Sequence, residues 1–181
     1  MGLIKLLEVI FNRFIPTNLT IVEQKLFEKV LNKYLLGIFI SRNNDGKLLY
    51  SWKIDPDFEI DLAANFVHAL AMFGDSVEYR RVFIEGVNVE MNLYAQDDLQ
   101  VCIFFRPNMV KDLLNIEAKE ALEVFIALFG EKINQKQISE EEFYSFDGVM
   151  FQFIQDYLIR LGILRKITTG SNVQIVLGTH H

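Results

Sequence analysis

The chain has 181 residues, a net charge of −6, 51% apolar residues and 16 phenylalanines. That length suits one domain of ordinary size with appendages, and that apolar content supplies a real core and excludes a disordered chain. The acidic balance excludes a general nucleic-acid binder, which is normally basic.

Residues 2–15 read as an amphipathic helix. Lys5, Glu8, Asn12 and Arg13 gather on one side, and Leu3, Leu6, Leu7, Ile10, Phe11 and Phe14 cover the other. Pro16 ends it. So wide an apolar face needs a cover, which is the chain's own core, a partner or second subunit, or a lipid surface. Its polar side is not markedly basic, which weakens the lipid case. Glu8 interrupts the stretch and no small-residue cleavage site follows, so it is not read as a secretory signal. Thr20 with Glu23 forms a capping-box pair that opens a second helix, with Ile21, Leu26, Val30 and Leu31 as its stripe, ending near Tyr34.

Leu36–Ile40 is a short buried strand. Asp45-Gly46 marks a hairpin turn, and Leu48–Ile54 returns as the second strand. Asp55-Pro56-Asp57 breaks it and prepares a helix over about Asp61–Phe73. On that helix Leu62, Phe66, Ala69, Leu70 and Phe73 share a face and His68 projects nearly opposite, as a surface residue. Gly74 terminates it. A third strand spans about Arg81–Glu85 and a fourth about Val87–Ala95. The fourth alternates Val87, Val89, Met91 and Leu93 with Asn88, Glu90, Asn92 and Tyr94, which predicts one buried and one wetter face. Leu99–Phe105 lacks alternation, so this fifth strand is expected to be central or covered on both sides. A long helix opens after Pro107, with Val110, Leu114, Ala121, Phe125 and Leu128 as its buried stripe and Leu113, Leu122 and Phe129 widening it. This order describes a small sheet with helices on one face.

Residues 134–138 form the clearest linker. Ser139 with Glu142 is a second capping box, and a helix runs from there through Leu161 with Val149, Met150, Phe153, Ile154, Tyr157, Leu158 and Leu161 apolar. Gly162 stops it. Ile163–Ile167 and Val173–Leu177 flank a turn as a terminal hairpin. Helix plus hairpin mimics half of a winged helix, but no basic face accompanies it, so no nucleic-acid partner is expected. His180 and His181 read as the remnant of an affinity tag and carry no chemistry.

The chemical inventory is thin. Cys102 is the sole cysteine, so no intrachain disulfide forms and a reducing, cytoplasmic compartment is the natural reading. Its apolar run makes it a core thiol. His68 has no acid or cysteine at ligand spacing. The acids Asp55, Asp57, Glu59 and Asp61 lack the glycine and final glutamate of a calcium loop, and a helix N-terminus accounts for them. Gly37, Gly46, Gly74 and Gly86 belong to turns, strand starts or helix ends. None builds a phosphate loop, so the chain is not expected to hydrolyse nucleotides itself. No apolar run approaches the roughly 20 residues of a membrane-spanning helix.

Gly37-Ile38-Phe39-Ile40 followed by Asp45-Gly46-Lys47-Leu48-Leu49-Tyr50 resembles the opening hairpin of longin-like and roadblock-type domains. In those families a short strand runs into an Asp-Gly or Asn-Gly turn and back. Asp55-Pro56 and the helix with Phe66, Leu70 and Phe73 resemble the segment that follows. Three strands and the helix after Pro107 complete the pattern, from about Leu36 to Ile133. A helix before the first strand favours the roadblock order and a helix at 140–161 the longin-like order; this chain has both. In texture it is similar to longin-like proteins of archaea related to the eukaryotic lineage.

The resemblance implies an α/β (α+β) mixed layer of profilin-like type. Its sheet would be five-stranded and antiparallel, in β-β-α-β-β-β-α order with N-terminal and C-terminal helical extensions. Residues 1–34 would be N-terminal helices, 35–133 the longin/roadblock-like domain, 139–178 an appendage and 179–181 the tag remnant. It also implies a non-enzymatic interaction module that binds or regulates a small GTPase as a homo- or hetero-oligomer, with no catalytic residue, cofactor or metal. The interface candidates are then Trp52, Phe66, Phe73, Asn43, Leu7 and Phe11, together with the exposed side of the fourth strand. Two alternatives stand beside it. One is a membrane-associated adaptor or scaffold subunit that touches lipid through residues 2–15. The other is a small-ligand sensor with a pocket lined by Phe66, Tyr94 or Phe104.

Overall fold

The computed structural model describes residues 21–73, 81–85, 88–107, 115–135, 137–169 and 172–178. The expected helix at 2–15 with Leu7 and Phe11, the Thr20 cap, Gly74, Gly86, the start of the helix after Pro107 and the tag remnant lie outside them. The described chain contains α1 (Ile21–Tyr34), β1 (Leu35–Arg42), β2 (Leu48–Lys53), α2 (Ile60–Phe73), β3 (Arg81–Glu85), β4 (Glu90–Gln96), β5 (Leu99–Phe105) and α3 (Asn115–Ile133). A 3-10 helix (Glu140–Phe146), α4 (Asp147–Arg160), β6 (Leu164–Thr169) and β7 (Asn172–Leu177) follow. Two compact units arise, Val30–Tyr144 and Met1–Lys29 with Ser145–His181.

The first unit is a mixed α/β layer around a five-stranded antiparallel sheet in the order β2-β1-β5-β4-β3. β5 is the middle strand, and all seven of its residues are buried, as its unalternating apolar sequence demands. Adjacent side chains point to opposite faces, and the register sorts them. Phe39 and Leu93 flank Cys102 on one face, while Ile38 and Asn92 flank Ile103 on the other. α2 packs on β1 and β2, and its Ile60 and Val67 join Phe39, Leu93, Cys102 and Phe104 in one cluster. α3 packs on β4 and β5, and its Phe125 ring meets Tyr50, which lies in register with Ile40.

Helices therefore cover both faces, not one as expected. This also corrects the reading of β4. Glu90 and Asn92, assigned to a wetter face, are buried, because α3 lies on β4. The exposed side of strand four that was offered as an interface is thus closed along Glu90–Leu93.

α2 turns differently from its expected face. Ile60 and Val67 are buried, with Ala63 and Ala64 partly buried against the same cluster. This i, i+3, i+4, i+7 stripe lets the helix lie close to the sheet through two small residues. Phe66 is turned outward at 49% exposure and Ala69 is exposed. His68 is half-buried, not a surface residue: a Cβ on Gly46 would stand 2.0 Å from its Nδ1. On α3, Ala118, Ala121, Leu122, Phe125 and Phe129 are buried, whereas Leu128 is 42% exposed.

The expected hairpin turn forms at Asn43–Asp45, with Gly46 at φ +64°. Asp45 fastens it by accepting from Arg42 and from the Lys47 backbone N–H at 3.0 Å. Gly46→Ala meets both a left-handed backbone and the His68 ring. Its expected cost is about 2–4 kcal/mol in urea unfolding, from φ strain plus overpacking. Adding His68→Ala should recover the overpacking part alone.

Ser139 and Glu142 do form a capping box, the Glu142 carboxylate accepting from the Ser139 N–H and the Ser139 hydroxyl from the Glu141 N–H, both at 3.4 Å. It opens the 3-10 helix, however, and the α-helix begins only at Asp147. Phe143 and Phe146, three residues apart and both wholly buried, suit the 3-10 period.

In the second unit, Met150, Phe153, Ile154, Gln155, Tyr157 and Leu158 are the buried stripe of α4, and Phe27 packs on Phe151 with ring centroids 4.3 Å apart. The helix ends in a Schellman motif. Gly162 N–H donates to the Ile159 carbonyl at 2.9 Å and Ile163 N–H to Leu158 at 3.0 Å, with Gly162 at φ +73°. Gly178 N–H closes the terminal hairpin onto the Ile163 carbonyl at 2.8 Å. A Cβ at Gly178 would sit 1.8 Å from the Gly162 carbonyl oxygen. Gly178→Ala is therefore expected to detach the hairpin end from α4. Amide exchange should speed up through β6 and β7 while the five-stranded sheet keeps its protection.

Candidate functional site

A groove of about 730 Å³ opens on the α2 face of the five-stranded sheet. α2 packs on β1 and β2, and the groove is lined by the β3–β4 half of that face. Its floor follows from the register: Ile84 pairs with Met91, Met91 with Phe104, and Phe104 with Gly37, a row across four strands. The missing side chain at Gly37 admits the Phe58 ring, whose Cδ1 would stand 3.1 Å from a Cβ placed there. Phe58 packs on Phe104 with centroids 4.9 Å apart, and Phe104 on Phe39 at 5.6 Å. Ala63, Asn65 and Phe66 of α2 form the wall, Val89 extends the floor, and Asp57 and Glu59 stand at the lip.

The four acids of this region divide by role. The Asp55 carboxylate accepts from the Asp57 backbone N–H at 2.9 Å and pairs with the Arg106 guanidinium at 2.5 Å. Arg106 also donates to the Asn32 carbonyl at 2.7 Å, and its backbone N–H to Tyr34 at 3.0 Å. Asp55 and Arg106 thus lock the loop before α2 to the end of α1 and the end of β5. Asp57, Glu59 and Asp61 are exposed. No group of three or more His, Cys, Asp or Glu placed to hold a metal ion occurs among the described residues.

Of the expected site residues, Phe66 lies at the groove. Phe104 lies there too, but Tyr94 does not: it pairs with Val101, whose side chain points to the α3 face. Of the three residues offered for a sensor pocket, Phe66 and Phe104 therefore line the groove and Tyr94 does not. Trp52 pairs with Ile38 and so also belongs to the α3 face, half-buried near the far end of β2. Asn43 is built into the turn. Its backbone N–H donates to Asp98 at 2.8 Å and its side chain to Asp97 at 3.3 Å, which ties the β1–β2 turn to the β4–β5 turn. Phe73 is the last residue of α2, and its side chain lies outside the described atoms. Phe58 was not singled out in the sequence, and Gly37 was read only as part of the first strand, not as the opening for the Phe58 ring. A glycine inside an apolar strand is the signal that finds them, since it marks a close approach.

Burial pushes the Cys102 thiol well above its ordinary pKa. It lies at 0% exposure, so it is a core side chain and not a nucleophile. No helix among the described residues is long and apolar enough to cross a membrane. No protein-family model matches the chain, and no curated protein matches it.

Proposed function

We propose that this chain is a non-enzymatic interaction module that docks a small GTPase in the cytoplasm and works as a homo- or hetero-oligomer, in the manner of the longin-like and roadblock-type domains it resembles. The observation that carries the reading is the open apolar groove beside Phe66, a phenylalanine left half-exposed on the helix that packs on β1 and β2. Exposed apolar surface of this kind marks interaction sites. The five-stranded antiparallel sheet, with α2 between its second and third strands, supports placing residues 35–133 as the longin/roadblock-like domain. Residues 1–34 and 139–178 are then its extensions.

The test is capture of small GTPases loaded with GDP or GTP, together with the mass of the protein in solution. The reading expects capture that depends on the nucleotide and a mass above that of one chain. Equal capture in both states, or none, would count against it.

A second reading, a small-ligand sensor, is favoured by one observation. A groove of about 730 Å³ falls within the roughly 300–1,000 Å³ of small-molecule sites. A ligand that raises thermal stability and moves the Met91 methyl resonance in the absence of any protein partner would single it out.

A further inference from the structure

We infer that the groove seats a protein segment presenting a bulky apolar side chain flanked by lysine or arginine. The inference rests on the interaction-module reading and names the chemistry of its partner. The floor and wall are apolar apart from Asn65, formed chiefly by Phe58, Phe104, Met91, Ile84 and Phe66. The lip is anionic. Asp57 and Glu59 are both exposed there, and no lysine or arginine among the described residues lines the groove. Neither lip carboxylate is in an ion pair among the described residues, whereas Asp55, two residues before Asp57, is neutralised by Arg106.

The N-terminus of α2 offsets roughly half a charge at most, which leaves the lip negative. An acidic partner would meet repulsion across it, and a purely apolar one would leave the lip charges unanswered. A basic-apolar segment satisfies both parts: its apolar side chain fills the ring-floored groove and its cation faces the carboxylates or the Phe66 ring.

The probe is a fluorescent 14-residue helical peptide with leucines on one face and lysines on the other, beside the same peptide with glutamates for the lysines. The basic peptide is expected to bind and to shift the Met91 methyl resonance, and the acidic one not to bind. Asp57→Asn with Glu59→Gln should weaken binding roughly 3- to 10-fold at low salt, with the gap closing as salt screens the lip. Phe66→Ala should weaken it about 10-fold. All three side chains are exposed or half-exposed, so these variants should fold. Equal binding of both peptides, or binding that leaves Met91 unmoved, overturns the inference. GTPase capture that survives intact in both variants also overturns the groove assignment while leaving the module reading standing. Groove binding of the basic peptide by a protein that captures no GTPase removes the GTPase reading and keeps the groove.

Discussion

Phe125→Ala is expected to cost the five-stranded unit about 3–5 kcal/mol. The ring is wholly buried. It stands 5.0 Å from Phe129, 5.2 Å from Phe143 and 6.5 Å from Tyr50, centroid to centroid. It thus joins α3 to the sheet and to the 3-10 helix at one point. Truncation removes apolar burial, three tilted ring contacts and the support of three neighbours, and none of those aromatic side chains can collapse into the space without leaving its own partners. Since a domain of this size is stable by only about 5–15 kcal/mol, the loss is a large share of the total. Urea unfolding should show a lower midpoint at unchanged slope. Leu128→Ala, three residues along the same helix but 42% exposed, is the matched control and should move the midpoint by less than about 0.5 kcal/mol. Equal effects at the two positions would mean that α3 presents another face to the sheet.

The second large effect concerns Cys102. Its thiol is enclosed between the sheet and α2, paired across the strands with Phe39 and Leu93. Thiol reagents should reach it only when the unit opens. Global opening at a cost of 5 kcal/mol or more slows labelling at least about a thousandfold relative to the unfolded chain. Burial also raises the thiol's folded pKa by desolvation, and the sign of the linkage follows. The stability this confers is fully present below the unfolded thiol pKa. It is lost as pH rises from there through the folded value, because the unfolded chain releases a proton that the folded chain retains. Labelling in native buffer at pH 8 should therefore be slow, and unfolding should become easier above about pH 9. A Cys102→Ala protein should lack that alkaline decline. Labelling at the rate of a free thiol would place Cys102 at the surface and contradict its place in the cluster with Ile60 and Val67 of α2.

Some elements were legible because the signal was physical and local. The unalternating run Leu99–Phe105 read as a strand that is central or covered on both sides, and β5 is that strand. Asp45-Gly46 marked a hairpin turn and Gly162 a helix end, and both glycines adopt positive φ. Other readings failed where several arrangements had equal local merit. α2 is apolar over most of its circumference, so periodicity did not distinguish Phe66 from Val67 as the inward residue. Packing chose the side carrying Ala63 and Ala64, because small residues allow close approach to the sheet. The alternation of β4 reported residue polarity and not exposure, since burial of Asn92 depends on α3 lying over it. The groove was half legible. Phe66 and Phe104 were named for a pocket, but Tyr94 belongs to the other face by strand register, which emerges only once β4 is aligned with β5. The Ser139 capping box was real, yet a cap specifies a start and not the helix type, and here the first turns are 3-10.

The groove beside Phe66 is proposed to be the surface on which a partner docks. Its most direct test is the affinity of wild-type protein and Phe66→Ala for one small GTPase in its GDP and GTP states, measured by titration with the Met91 methyl as reporter. Wild type should bind one nucleotide state preferentially with Met91 shifted, and Phe66→Ala should weaken that complex about 10-fold while keeping its fold. A complex that forms equally well with Phe66→Ala, or one that leaves Met91 unperturbed, would contradict it.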